Sequence, residues 1–433
     1  MVLGRAASSS APGGGTRIAT APSLEDVRVW EAGSGKLIRT LQTPGPRPWK
    51  RYDPALRRNS RGHQVPLKKV PRTRALRRSH PVAARDAHNH PAQRHRIHIA
   101  FSSPWEYFLM HPVDPLILDE SPERAGAIAV IDAPGLVTAA LERSSDVRVW
   151  CDDLRDAQVV SEIDPGLLVS HPGELRGVDL VWGHLPKSLA ALDEHCASVQ
   201  GAPDVMFLSG ARVKHMNRSM NQVLARHFTA VNASLGRSKC RVLRAWGPNQ
   251  LDSEWPKARN HPDLDLTLVA HGATFNGNRI DDGTRLLLKH LDPGEGTALD
   301  LGCGNGVIAA VLARRGIETT AIDVSWSAVA ATRATAQANG LDIDVRWADG
   351  LSGFPDHSFD VIATNPPFHR GHAKESEPTL RMFDEAARVL RPGGQLWCVF
   401  NSHLPWRREL TARVGRTRVV AQDRNYQLTF TRL

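Results

Sequence analysis

Leu299-Asp300-Leu301-Gly302-Cys303-Gly304-Asn305-Gly306 leads straight into Val307-Ile308-Ala309-Ala310-Val311-Leu312. The short apolar run reads as a buried strand, the alternate glycines as a tight turn, and the apolar stretch after them as a helix. Residues without a Cβ let the backbone of such a turn come close to a nucleotide-like ligand. Working outward, Thr319-Thr320-Ala321-Ile322 is a second strand ending in Asp323. Phe359-Asp360-Val361-Ile362-Ala363 is a further strand that opens into Asn365-Pro366-Pro367-Phe368, 59 residues after Gly306. This alternation predicts a parallel sheet with helices on both faces. Beyond Gln395–Phe400 the pattern becomes a helix near Trp406–Val414, a strand near Arg418–Ala421 and a last strand near Tyr426–Thr431, a closing hairpin at the sheet edge.

The same signals occur earlier in the chain. Gly126 to Leu141 runs parallel to Gly296 to Leu312, each as strand, turn and helix. Gly135 precedes Asp152 by 17 residues, and Gly306 precedes Asp323 by 17, so the two acidic strand ends are expected to coincide. Val178–Trp182 corresponds to Phe359–Ala363; the first copy continues Gly183-His184-Leu185-Pro186 where the second has Thr364-Asn365-Pro366-Pro367. The first copy therefore keeps the scaffold and loses the glycine turn and Asn365's counterpart. Asp152 is expected to have no part in cofactor binding. The division expected is 1–100, a disordered basic segment rich in Pro, Arg and His; 101–262, a degenerate RNA-binding domain; and 263–433, a catalytic domain.

Composition bounds the rest. The net charge of +10 is concentrated: residues 47 to 96 hold 15 Lys/Arg against Asp53 and Asp86, leaving the remainder at −3. Between Pro44 and His98 the chain is rich in Pro, Arg and His with little apolar periodicity, which predicts disorder. Asp26–Trp30 followed by Gly33–Leu37 resembles the last strands of one WD-type propeller blade, but no neighbouring blade follows to bury its faces. A nucleic-acid-binding arm and a start site downstream, since no methionine lies between Met1 and Met110, are the other readings of this segment. The five cysteines lack CxxC spacing and the histidines from His80 to His98 lack ligand spacing, so no metal is expected. No apolar run approaches membrane-spanning length, and the amino terminus has no signal-peptide core. A cytoplasmic protein without a membrane partner is expected.

A glycine turn alone also fits a dehydrogenase, and its surroundings decide. Asp300 stands where a carboxylate can meet the amino group of a methionine moiety, and Gly302, Cys303, Gly304, Asn305 and Gly306 form the loop against which the cofactor lies. Asp323 can accept both ribose hydroxyls, and Asp349 the adenine amine. The structural alternatives are an ordinary strand-to-helix turn, a helix N-cap at Asp323 and an Asp-Gly turn at Asp349-Gly350. Asn365 and the Pro366 carbonyl offer two amide-type acceptors, Pro367 stiffens the loop, and Phe368 gives an aromatic face. That set suits a flat ring with an exocyclic amine, and with the glycine turn it points to methyl transfer from S-adenosylmethionine.

From Leu268 to Leu433 the chain resembles the bacterial ribosomal RNA guanine-N2 methyltransferases, both the methyltransferase G type that acts on 23S RNA and its methyltransferase C relative that acts on 16S RNA. The residues that carry this are His271-Gly272-Ala273-Thr274-Phe275, Asp281-Asp282-Gly283-Thr284, Asp300 to Ile308, Asn365 to His369, Arg391-Pro392-Gly393-Gly394 and Asn401-Ser402-His403-Leu404. Leu185-Pro186-Lys187-Ser188 and Val213-Lys214-His215-Met216 are similar to that family's first domain. The resemblance implies two tandem Rossmann-like class I methyltransferase domains, the first degenerate and holding RNA, the second catalytic. It implies S-adenosylmethionine as cofactor and a guanine N2 in ribosomal RNA, naked or partly assembled, as substrate of a monomer. His369 to Ala373 and Asn401 to Leu404 favour 23S RNA over 16S. Methylation of DNA adenine N6 or of a release-factor glutamine, and a non-catalytic assembly factor, are the alternatives. The run Arg212 to Arg244 carries eight Lys/Arg and no acid; Lys214 and Arg218 there, with Lys187, are the expected RNA contacts.

Overall fold

The computed structural model describes residues 110–366 and 377–433, and the backbone of four strands between residues 7 and 42. It divides into two units, Met1–Ala92 and Gln93–Leu433. In the first, β1 (Ala7–Ser10), β2 (Thr16–Ser23), β3 (Asp26–Glu31) and β4 (Leu37–Gln42) form an antiparallel meander in that order. These strands precede the stretch Pro44–His98 that composition reads as disordered, and the blade-like run Asp26–Trp30 lies in β3. The Pro/Arg/His-rich stretch falls outside the described residues, as do Pro367, Phe368 and His369–Ala373.

The second unit holds two sheets. In the first, β5 (Ala127–Ile131), β6 (Asp146–Trp150), β7 (Leu180–His184) and β8 (Met206–Arg212) are parallel. The antiparallel pair β9 (Phe228–Ala233) and β10 (Cys240–Pro248) extends it, giving the order β6-β5-β7-β8-β10-β9. Helices α1 (Asp114–Asp119), α2 (Val137–Arg143), α3 (Leu154–Ile163), α4 (Leu189–Ser198) and α5 (Arg218–His227) accompany it. Every residue of β5 is buried, and alternation sends Ala127, Ala129 and Ile131 to one core and Ile128 and Val130 to the other. Coverage of both faces is what a continuous apolar strand requires.

A hairpin of β11 (Lys257–His261) and β12 (Leu266–Ala270) leads to the second sheet. Its strands are β13 (Thr297–Leu301), β14 (Glu318–Asp323), β15 (Asp344–Trp347), β16 (Phe359–Thr364), β17 (Leu390–Asn401), β18 (Arg416–Gln422) and β19 (Tyr426–Arg432). They lie in the order β15-β14-β13-β16-β17-β19-β18, parallel from β15 to β17, with β19 antiparallel to both β17 and β18. Helices α6 (Asp282–His290), α7 (Val307–Arg314), α8 (Trp326–Ala338), α9 (Glu377–Val389) and α10 (Trp406–Arg413) complete it. The closing hairpin stands where the sequence placed it.

The two sheets repeat one another, and the hydrogen bonds set the correspondence. The Asp132 N–H donates to the Trp150 carbonyl (3.0 Å) as the Gly302 N–H donates to that of Ile322 (2.9 Å). Cys151, not Asp152, therefore occupies the place of Asp323. The expected coincidence of Asp152 and Asp323 is wrong by one residue. Ala127 pairs with Asp146, 19 positions on, whereas Thr297 pairs with Glu318, 21 positions on, so counting residues across the turn does not preserve register. At the other neighbour the correspondence holds: Gly183 pairs with Ile131 as Thr364 pairs with Leu301, so His184 takes the place of Asn365.

The copies are joined by buried polar contacts. Glu194 of α4, 6% exposed, accepts from His271 Nδ1 and from the Gly272 N–H, both at 2.6 Å. Ser188 Oγ donates to the Gly272 carbonyl (3.0 Å). A side chain at 272 would overlap the Ala190 carbonyl, which is why glycine is needed there. Trp326 fills the junction against Trp150, His171 and His271, with its Nε1 donating to the Ser170 carbonyl at 3.0 Å.

At the junction's edge Asp132 sits at φ 50° and accepts the Asp152 N–H at 2.8 Å. Burial, then the Asp152 carboxylate, pushes its pKa up to about 8. A carboxyl raised above its unfolded value binds a proton in the native state that the unfolded chain has released, so its contribution to stability falls as pH rises between about 4 and 8. Asparagine keeps the acceptor and tolerates the positive φ. The gain in melting temperature of Asp132→Asn over wild type is expected to grow from pH 5 to pH 8; a gain independent of pH would show that this carboxyl is not the source.

Candidate active site

The carboxyl ends of β13 and β16 open into a cleft of about 370 Å³ whose walls include Gly302, Cys303, Gly304, Asn305, Asp281 and Asn365. The glycine turn and the asparagine, 59 residues apart in sequence, thus face one space. This is the crevice at the strand ends where parallel sheets receive ligands.

The loop is built from backbone bonds. The Gly302 and Cys303 N–H groups both donate to the Ile322 carbonyl (2.9 and 3.0 Å). Gly306, at φ 77°, precedes α7, and a side chain there would strike Thr332. Gly302 and Gly304 also have positive φ, but nothing lies within 4 Å of the position a Cβ would take. That open space beside exposed backbone is the cradle a cofactor would fill. Asn305, expected to touch the cofactor, directs its Nδ2 to the carbonyls of Gly277 and Arg279 (2.9 Å each) and thereby holds the loop to the preceding segment.

The three expected acids occupy different settings, and none is part of the cleft wall. Asp300 is fully buried; Oδ2 accepts the Ala309 N–H at 3.0 Å and Oδ1 has no partner. Burial raises its pKa to about 7. An orphaned oxygen at this depth is costly unless a donor arrives, which fits a group that meets a cationic ligand. Asp323 ends β14; its Oδ1 accepts the Ser325 N–H (2.9 Å) and its Oδ2 the Gly304 N–H (3.1 Å). A carboxylate has about four lone-pair sites, so acceptor capacity remains for two hydroxyls. Burial raises the Asp323 pKa against the effect of those two N–H groups. Asp349 is exposed on the turn after β15. The residues present fit a nucleoside bearing an amino group.

Asn365 is tied down by residues to which the sequence reading assigned no role. Its Nδ2 donates to Asp281 Oδ2 (2.9 Å) and Oδ1 (3.1 Å) and to Thr284 Oγ1 (2.9 Å). Asp281 also caps α6, accepting the Thr284 N–H (3.0 Å) and hydroxyl (2.7 Å). The amide's orientation follows from chemistry: a carboxylate can only accept, and the Thr284 hydroxyl has given its proton to Asp281. Asn365 Oδ1 is therefore the free end. An Asp just ahead of an apolar-periodic run is a local mark of a helix cap; the second duty of Asp281, 84 residues away, has no local signal. Phe275, 70% exposed, and Arg279 also line the cleft.

In the first copy, His184 Nε2 bonds Asp114 Oδ1 at 2.6 Å, and Asp114 accepts the His111 N–H at 2.7 Å. As Asn365 does at the end of β16, His184 at the end of β7 thus meets an acid at the start of the helix that precedes its sheet. Among the described residues His111, Asp114 and His184 are the one group with ligand-capable atoms within 4.8 Å. Every one of the described cysteines is free and buried. No helix among the described residues is long and apolar enough to cross a membrane.

Of the expected RNA contacts, Lys187 follows β7, Lys214 sits on the turn after β8 and Arg218 opens α5, and all three are exposed. Three cations of the basic run are paired internally, Arg226 with Asp193, Arg237 with Asp119 and Arg244 with Glu120. Lys214 and Arg218 form no ion pair among the described residues.

A family model described as Methyltransferase small domain matches residues 265–429, and one described as RLMG N-terminal domain matches residues 164–249. The ribosomal RNA large subunit methyltransferase G of Streptomyces coelicolor is 34% identical over 346 residues, 74% of this chain and 90% of the relative. That of Pseudomonas fluorescens strain Pf0-1 is 32% identical over 352 residues, 76% and 92% of the two chains. Among solved structures, the T. thermophilus 16S rRNA N2 G1207 methyltransferase in complex with AdoMet and guanosine matches with a TM-score of 0.60 at 20% identity, covering 74% of this chain and 92% of that one. The duplicated sheet, the glycine cradle and these likenesses agree: the chain belongs to the ribosomal RNA large subunit methyltransferase G family, S-adenosylmethionine-dependent methyltransferases of two Rossmann-like domains.

Proposed function

We propose that this chain methylates the exocyclic N2 amine of a guanine in ribosomal RNA, with 23S RNA as its substrate, as a monomer in the cytoplasm. The orientation of Asn365 carries the reading. With Nδ2 committed to Asp281 and Thr284, Oδ1 is left to accept from an incoming N–H. An aromatic amine is a weak nucleophile because its lone pair is delocalised into the ring. S-adenosylmethionine, when bound, supplies a methyl group electrophilic enough that no strong base is required. The chain's task is to hold the amine: Asn365 Oδ1 and the Pro366 carbonyl each accept one N–H, turning the lone pair out of the ring plane. Pro367 stiffens this loop and Phe368 stacks on the base, while Phe275 offers an apolar face at the cleft.

In the same reading Gly302, Cys303 and Gly304 leave room for the cofactor. Asp323 accepts its ribose hydroxyls, Asp300 takes its amino group through the orphaned oxygen, and Asp349 accepts from adenine. The names of the curated relatives favour 23S RNA over 16S RNA. Lys187, Lys214 and Arg218 contact phosphates, and the guanine leaves any pairing to enter the cleft, which favours loops or unassembled RNA.

Incubation with labelled S-adenosylmethionine and 23S RNA, 16S RNA, assembled ribosomal particles, DNA or release factor tests the substrate. Label recovered as N2-methylguanine from 23S RNA is expected; label in another acceptor would replace this reading. Asn365→Ala is expected to slow turnover about a hundredfold, roughly 3 kcal/mol, while cofactor binding survives. Asp281→Ala, which frees the amide to rotate, should lower kcat in the same direction. Near-normal turnover of Asn365→Ala would remove the mechanism. The charge reversals Lys214→Glu and Arg218→Glu are expected to weaken RNA binding and to flatten its salt dependence by about one phosphate each; an unchanged salt slope would exclude this surface.

A further inference from the structure

A helix begins with N–H groups that have no partner within it, and α8, which follows Asp323 directly, begins against the other copy of the fold. Its Trp326 N–H donates to the Asp152 carbonyl (2.7 Å), its Ser327 N–H to Asp152 Oδ1 (2.8 Å), its Ala328 N–H to Ser325 Oγ (3.2 Å) and its Val329 N–H to the Ser325 carbonyl (3.1 Å). Ser325 Oγ in turn donates to Asp152 Oδ2 (2.8 Å). Asp152 thus satisfies two of the first-turn donors and orients the hydroxyl that satisfies a third.

The backbone part of this contact is reciprocal. The Leu154 N–H donates to the Val324 carbonyl (3.0 Å), and Asp153 and Ser325 form an antiparallel bridge. In the register of the two sheets Asp152 corresponds to Val324, and Leu154 to Trp326. The Leu154–Val324 and Trp326–Asp152 bonds are therefore the same bond made from either copy. The side chains break the symmetry: one copy presents a carboxylate and the other a valine. Support runs one way, from the copy without a glycine turn to the helix behind the copy that has one.

That helix start holds the cofactor acid. The Ser325 N–H donates to Asp323 Oδ1 and the Gly304 N–H to Asp323 Oδ2, so a continuous line of hydrogen bonds runs from Asp152 through Ser325 and Asp323 to the glycine turn. We propose that Asp152 is a positioning residue for the S-adenosylmethionine site, through which the degenerate domain fixes the loop carrying Asp323. The proposal rests on Asp323 being a cofactor ligand. It reverses the expectation that Asp152 is a vestige without bearing on cofactor binding.

Calorimetric titration of the full chain with S-adenosylmethionine tests it. Asp152→Ala is expected to bind the cofactor about tenfold more weakly, Asp152→Asn, which keeps the acceptor for Ser327, to recover most of that loss, and Val324→Ala to bind as wild type. In assays on the RNA that the wild type modifies, Asp152→Ala should raise KM for the cofactor and leave kcat at saturation unchanged, a split that general loss of folded protein would not produce. Asp323→Ala in the same series separates the two readings: if it binds normally, Asp323 is not a ligand; if it binds weakly while Asp152→Ala stays within twofold of wild type, the positioning role is overturned. Should Asp152→Ala not fold, Ser325→Ala carries the test, with several-fold weaker binding expected and wild-type affinity overturning the role.

Discussion

Asp281 accepts hydrogen bonds from three directions, and the cleft depends on it. It accepts the Thr284 N–H at the start of α6, takes the Thr284 hydroxyl, and holds the amide of Asn365 from the end of β16. Because a carboxylate cannot donate, the amide has one orientation with its partners satisfied, which leaves its oxygen without one among the described residues. A carboxylate in the cleft wall thus decides which atom of the Asn365 amide is left without a partner. Asn305 does for the glycine turn what Asp281 does for Asn365, pinning it to the Gly277 and Arg279 carbonyls. Two polar side chains of the cleft, Asn305 and Asn365, are thus each held by bonds behind them.

Duplication explains the rest of the arrangement. Two copies of one sheet meet at the ends of their second strands, and the bonds there are made twice in equivalent positions. Once the copies are joined in this way, a residue in one can serve the other. Asp152 has done so at α8, and Glu194 at Gly272. Each acts on a segment flanking the catalytic copy's cleft. His184 and Asp114 keep the geometric relation of Asn365 and Asp281 with different chemistry, as expected where a scaffold persists after its ligand has gone.

By itself the sequence determined the alternation of strands and helices, the glycine turn, the closing hairpin and the existence of two copies. These follow from local pattern and from chemistry tied to residue type, such as glycine where backbone must be open. Only the tertiary structure decided register, and register decides partners. Counting put Asp152 opposite Asp323; the hydrogen bonds of β5 and β13 put Cys151 there and turned Asp152 toward α8. Asp281 could be read as a helix cap, but its hold on Asn365 spans 84 residues and exists only because β16 lies beside β13. A cap is encoded within one turn of chain, whereas the partner of a buried polar group is set by which strands are neighbours.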